Sequence, residues 1–171
     1  DVRALAPRYT DLRFVEISLA ESDWNEFRDR IAAIDEGGVV LLLSAYRDRN
    51  AHSKDFSESL DLIKRATAAP IMHLWEHGLG AGVLGGVMIS FEEQGRQAAL
   101  TGLKILRGTP PNALPVIERS PNVPMFDYAL LSGYGLDRGD LPINALLINL
   151  ALGFWQRYRD TLLIGGAAVL S

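Results

Sequence analysis

Gly37-Gly38-Val39-Val40-Leu41-Leu42-Leu43 is the stretch on which the fold turns. Two glycines interrupt any preceding helix, and five apolar residues follow without a polar break. So short and so apolar a run predicts a strand buried on both faces, the kind that fills parallel sheets. Just upstream, Ser22-Asp23 offers an N-cap, and Trp24, Phe27, Ile31 and Ile34 recur at helical spacing. Downstream, Ser44 to Lys54 is a polar loop. Ser53 or Asp55 then caps a second stripe of Phe56, Leu60, Ile63 and Ala66. A buried strand between two amphipathic helices is the unit of an α/β fold.

The same alternation extends outward. Leu12, Phe14, Val15 and Ile17 predict a strand over Asp11 to Ile17. Pro70 to Trp75 predicts another, and Val87 to Ile89 a short one. Glu92 to Leu106 predicts a helix with Leu100, Leu103 and Leu106 turned inward and Gly108 as its stop. The expected architecture is a three-layer Rossmann-like or flavodoxin-like parallel sheet with helices on both faces. Beyond Gly108 the pattern changes. Pro110, Pro111, Pro115, Pro121 and Pro124 crowd one stretch around the extended pieces Val116-Ile117 and Met125-Phe126. A short helix is expected over Asp127 to Tyr134, and a last strand over Ala145 to Ile148.

Composition narrows the function. A chain of 171 residues with 48% hydrophobic and 22% charged residues can bury a full core without a staple. The net charge is −4 with acids and bases interspersed, so there is no basic track for nucleic acid. The absence of cysteine removes disulfides, zinc-thiolate sites and thiol nucleophiles together. The N-terminal Asp1 to Pro7 lacks the apolar core of a signal peptide. Thr161 to Leu170 is apolar apart from Thr161, and Phe154, Trp155 and Tyr158 precede it as an interfacial belt would. This reads as the start of a transmembrane helix; the competing reading is a C-terminal helix packed on its own domain.

Two motifs invite chemistry. His73-Leu74-Trp75-Glu76-His77 matches an inverted zinc-protease pattern, which needs a helix to bring both imidazoles to one metal. Here it follows Pro70 in a predicted strand, where His73 and His77 would lie about 13 Å apart. Gly80-Ala81-Gly82-Val83-Leu84-Gly85 matches the dinucleotide glycine pattern, but it runs into a strand rather than a helix. The glycines are better read as a flexible or tightly turned loop. No catalytic residue, metal site or cofactor is expected. In open α/β sheets ligands sit beyond the carboxyl ends of the strands. Those ends carry Ser18, Ser44 to Asp48, and Trp75-Glu76, with serines and Asp48 to fix polar groups, Trp75 as a wall and Glu76 for an amine; the competing reading is a set of ordinary strand-end loops.

Ala69-Pro70-Ile71, Glu76, Gly85 to Ser90, Gln94-Gly95-Arg96-Gln97-Ala98-Ala99, Leu103 to Gly108, Pro111 and Pro115-Val116 together resemble the substrate-binding proteins of a family of ABC importers. Ser120-Pro121-Asn122, Met125 to Tyr128, Leu131, Gly135-Leu136, Leu141-Pro142 and Phe154 to Arg159 are similar to periplasmic sensor regions of membrane signalling proteins. The resemblance runs from about Leu12 to Thr161. It implies one lobe of a type I periplasmic-binding-protein-like domain over 1–142, a juxtamembrane segment over 143–160, and the start of a truncated transmembrane helix over 161–171. The implied role is the extracytoplasmic input domain of a sensor, such as a histidine kinase, at the periplasmic face of a bacterial inner membrane. The alternative is a substrate-binding subunit of an ABC importer. A small ligand would bind in the cleft shared with an N-terminal lobe, at Ser18, Ser44, Asp48, Trp75, Glu76 and the Gly78 to Gly86 loop, Gly85 included. A homodimer is a further expected partner state. His73, His77 and the glycine loop match no role in that family.

Overall fold

A computed structural model describes residues 6–35, 37–118 and 120–150. Among these the chain is α/β, with five strands and four helices, and its strands pair mostly in parallel. Two compact units divide it, Asp1–Pro70 and Ile71–Ser171.

The first unit holds α1 (Trp24–Ala32), β1 (Val40–Leu42) and α2 (Phe56–Ala66). Both helices start at an aspartate in a reciprocal capping box, Asp23 with Glu26 and Asp55 with Glu58. Their stripes do what the spacing predicts. Trp24, Phe27 and Ile31 of α1 and Leu60 and Ile63 of α2 are buried, and the two helices pack together. Inside this core Ser59 donates its hydroxyl to the carbonyls of Ala45 and Asp55, at 2.5 and 2.8 Å. Two expectations are corrected. β1 is not buried on both faces: Val40 and Leu42 point inward, while Val39, Leu41 and Leu43 are exposed. The strand expected over Asp11 to Ile17 does not form. The Glu16 carbonyl there accepts from the Arg30 guanidinium of α1 at 2.9 Å, and Leu12, Phe14 and Val15 are exposed.

The second unit holds β2 (Ile71–His73), β3 (Gly85–Ile89), α3 (Phe91–Leu106), β4 (Asn122–Asp127), α4 (Tyr128–Leu131) and β5 (Leu146–Ile148). Its sheet order is β2-β3-β4-β5. β2 runs parallel to β3 and β4 parallel to β5, but β3 and β4 are antiparallel, in register from Gly85↔Phe126 to Ile89↔Asn122. The all-parallel expectation is therefore corrected. The single helix α3 and a proline-rich return lie between β3 and β4, and the chain comes back alongside β3 in the opposite direction. Ile71, Val83, Leu84, Met88, Phe126 and Leu131 are the buried apolar residues.

α3 corrects a third expectation. Leu100, Leu103 and Leu106 are exposed, and no residue of the helix is buried. Polar contacts set its rotation instead. Glu76 accepts from the Phe91 amide, Gln94 donates to Ser120 Oγ, and the half-buried residues are Glu93, Gln97, Thr101 and Gly102. Among the described residues no helix is long and apolar enough to cross a membrane. The expected span over 161–171 and most of the juxtamembrane segment lie outside the described residues.

Candidate functional site

The reversal of β4 divides the carboxyl ends of the second unit between two edges. β2 and β3 end together on one edge, and β4 and β5 end together on the other. At the first edge the chain leaves β2 through Trp75, which bridges to Ile89 at the end of β3. It then turns through a short 3-10 helix, Glu76–Gly78. That turn overturns the extended geometry expected for the two histidines. The rings of His73 and His77 lie 5.0 Å apart, edge to face. Trp75 sits 5.3 Å from His73, and Phe91 stacks on His77 at 6.2 Å. Among the described residues no group of three or more histidine, cysteine, aspartate or glutamate side chains could hold a metal. The histidines belong to an aromatic cluster.

Glu76 is committed within this cluster. Its Oε1 accepts from the backbone N–H of Phe91 at 2.9 Å, the first residue of α3. Ser90 is the N-cap of the same helix and accepts from the Glu93 amide. The Glu76 side chain satisfies an orphan amide at the positive end of the helix. Trp75 and Glu76 are half-buried, and His77 and Phe91 are exposed. The edge thus presents an aromatic wall beside a helix N-terminus. Ser90 and Phe91 were not among the residues expected at the site, although Ser90-Phe91-Glu92-Glu93 carries the capping pattern that could have flagged them.

Gly85 does not join that edge. It is the first residue of β3, opposite Met72 of β2, about 13 Å of strand from Ile89. Its role is spacing. A Cβ on Gly85 would run into the Phe126 ring and come within 2.5 Å of the Met125 carbonyl, and one on Gly86 would lie 2.5 Å from the His73 carbonyl. The loop before them is a tight turn. Ala81 and Val83 both donate to the Gly78 carbonyl, and Gly80 and Gly82 take positive φ. At the opposite edge, buried Asp127 caps α4 through the Ala129 amide and accepts from Asn149 Nδ2 at 3.0 Å, tying the ends of β4 and β5 together.

In the first unit, Ser18 and Asp48 are brought to one neighbourhood, the start of α1. Ser18 holds a turn, its Oγ accepting from Ala20 N and its carbonyl from Ser22 Oγ at 2.7 Å. Ser22 in turn accepts from the Arg49 amide. Asp48 is buried and fully engaged by its own hairpin-like loop. It accepts from the amides of Asn50 and His52 at 2.9 and 2.8 Å, and His52 Nδ1 lies 3.3 Å away. Burial pushes the Asp48 carboxyl up, but the His52 amide, its imidazole and the Asn50 amide outweigh it and hold the group below its ordinary value. The loop is fastened outside as well, by Trp24 Nε1 donating to the His52 carbonyl at 3.0 Å. Ser44 is exposed, two residues past β1. Asp48 and Ser18 thus stabilise a loop; Ser18 is half-buried and Ser44 exposed. No protein-family model matches the chain, nor does any curated protein or solved structure.

Proposed function

We propose that this chain is an extracytoplasmic ligand-binding sensor domain of a membrane signalling protein, one lobe of a type I periplasmic-binding-protein-like fold with a three-layer α/β core. The observation that carries the reading is the shared carboxyl edge of β2 and β3. There Trp75 stays half-exposed beside His77, Phe91 and the first turn of α3. An apolar wall beside Glu76 and the acidic first turn of α3 suits a small solute with a ring or aliphatic body and a cationic or polar head. Ligand held there would close a cleft between this lobe and another, and closure would be relayed into the membrane through the segment after β5. The site lies at the periplasmic face of a bacterial inner membrane, and the domain performs no catalysis. The importer-subunit alternative shares the resemblance over residues 70–115. The apolar run Thr161 to Leu170 favours the sensor, because a soluble delivery protein has no use for it.

The test is a thermal-shift screen against amino acids, nucleosides, short peptides and aromatic acids at millimolar concentration. A ligand at about 100 times its Kd stabilises by roughly 2.7 kcal/mol. The expected result is a hit that Trp75→Ala abolishes although the variant still folds. A flat screen on folded protein, or a hit indifferent to Trp75, would remove small-solute binding at this edge.

A further inference from the structure

The geometry points to a second binding site, in the turns before β5, that takes a small monocarboxylate with an aliphatic body. The inference goes beyond the sensor reading and does not depend on it, because none of its residues belongs to the Trp75 edge. A cavity of about 320 Å³ opens there, lined by the 3-10 turn Arg138–Asp140, the residues after it and β5. Ligand pockets run from about 300 to 1,000 Å³, so this one has room for a molecule of roughly six to ten non-hydrogen atoms at about 30 Å³ each. Leu141, Pro142, Ile143, Ala145 and Leu147 supply its apolar lining, and Arg138 is the one lining residue with a formal charge.

The local sequence explains why acids stay out of the lining. Asp137 and Asp140 flank Arg138, but both carboxylates are turned onto the backbone of their own 3-10 turn. Asp137 Oδ1 accepts from the Gly139 amide at 2.6 Å, and Asp140 Oδ2 accepts from the Asp137 amide at 2.8 Å. Among the described residues the Arg138 guanidinium has no hydrogen-bond or ion-pair partner. A guanidinium fork matches a carboxylate, which it holds through two parallel N–H···O bonds. The apolar side is equally particular. The Ala145 amide donates to the Pro142 carbonyl at 2.8 Å, closing a β-turn with Ile143 at its second position. Turns favour glycine, asparagine, aspartate or serine. Ile143 is instead fully exposed, and turn chemistry gives no reason for a β-branched hydrocarbon there. An aliphatic ligand lying against Ile143 would cover it. Leu147 is fixed by the pairing of β5 with β4, in register with buried Phe126. One positive charge selects a monoanion over a dianion, and the apolar walls select a hydrocarbon body over a bare inorganic anion.

The experiment titrates the isotope-labelled 171-residue chain with hexanoate and follows the amide resonances of Ile143, Ala145 and Leu147. These should shift together, with a Kd on the order of 1 mM for so small a ligand. Butyrate, shorter by a pair of methylenes, should bind about 10-fold more weakly. Hexanamide, the uncharged isostere, should also bind about 10-fold more weakly. Arg138→Gln should remove that difference and leave hexanoate and hexanamide equal; Arg138 is exposed, so the fold does not rest on it. Ala145→Leu fills the cavity and should block both ligands while the rest of the amide spectrum stays that of the folded chain. The proposal is overturned if hexanoate moves none of the three resonances, if it moves only the Trp75 and Phe91 signals, or if it binds wild type no better than hexanamide. Undiminished binding to folded Ala145→Leu overturns it as well. Shifts confined to Trp75 and Phe91 would leave that edge standing as a binding site, so the two readings fail separately.

Discussion

Removing the Glu76 carboxylate should loosen the start of α3 by an amount the geometry bounds. The side chain makes one hydrogen bond, to the Phe91 amide at 2.9 Å, from a half-buried position at a helix N-terminus. Hydrogen bonds to charged groups contribute about 1.5–3 kcal/mol when well sheltered. Partial exposure lowers that to roughly 1–2 kcal/mol for Glu76→Ala. Glu76→Gln keeps an acceptor oxygen and loses only the charge–dipole part, about 0.3–1 kcal/mol. The assay is amide hydrogen exchange read residue by residue, which follows local opening without assuming that the chain unfolds in one step. Exchange at Phe91 should accelerate roughly 5- to 30-fold in the alanine variant and about 2- to 5-fold in the glutamine variant. Unchanged exchange at Phe91 in Glu76→Ala would refute the anchoring role. If the same variant then lost ligand binding, Glu76 would be a ligand contact rather than a helix anchor.

Other substitutions test the remaining geometry. Gly86→Ala should destabilise the β2–β3 pairing by about 1–3 kcal/mol, because the new methyl meets the His73 carbonyl. An unchanged denaturation midpoint would contradict that close approach. Glu93 is held down to about 2 by hydrogen bonds from Arg96 and then Gln97. A depressed carboxyl contributes stability above its unfolded value of 4.5 and loses it as pH falls toward about 2. The advantage of wild type over Glu93→Gln should therefore be complete at pH 6 and vanish near pH 2; an advantage that persists at pH 2 would rule out this ionisation. Asp48→Ala should shift the Trp24 indole N–H resonance, because the loop bearing the His52 carbonyl loses its internal acceptor. Asp48→Asn, which keeps an acceptor oxygen, should shift it less. Equal spectra would detach Asp48 from the loop.

Local signals made much of this fold legible. Asp23 and Asp55 announced their helices, and the buried stripes Trp24-Phe27-Ile31 and Leu60-Ile63 followed from spacing alone. Leu146–Ile148 appeared within the strand expected near the end of the described chain. Non-local choices were not legible. Nothing in Asn122–Asp127 declares that it will run antiparallel to β3, and proline is disfavoured in a strand flanked on both sides, as Pro124 is here. The leucines of α3 have the period of a buried stripe, but anchors at Glu76 and Ser120, distant in sequence, turned them outward. At the candidate site, Trp75 and Glu76 were placed at a strand end as expected. His77 and Phe91 joined them only through a 3-10 turn that strand spacing did not anticipate, and Gly85 fell at the far end of its strand.

The ladders of the second unit are unequal in length. β3 and β4 share five register pairs, whereas β2 meets β3 at Met72↔Gly85 and the Trp75↔Ile89 bridge, with the Leu84 and Ile89 amides donating to the Ile71 and Leu74 carbonyls. The β2–β3 junction is the seam along which this sheet should part first, and the Glu76–Phe91 bond is the clasp at its open end. A solute wedged beside Trp75 would span the two sides of that seam. Its binding energy would then appear as suppressed unzipping of β2, a change in fluctuation that can be transmitted without any displacement of the average structure.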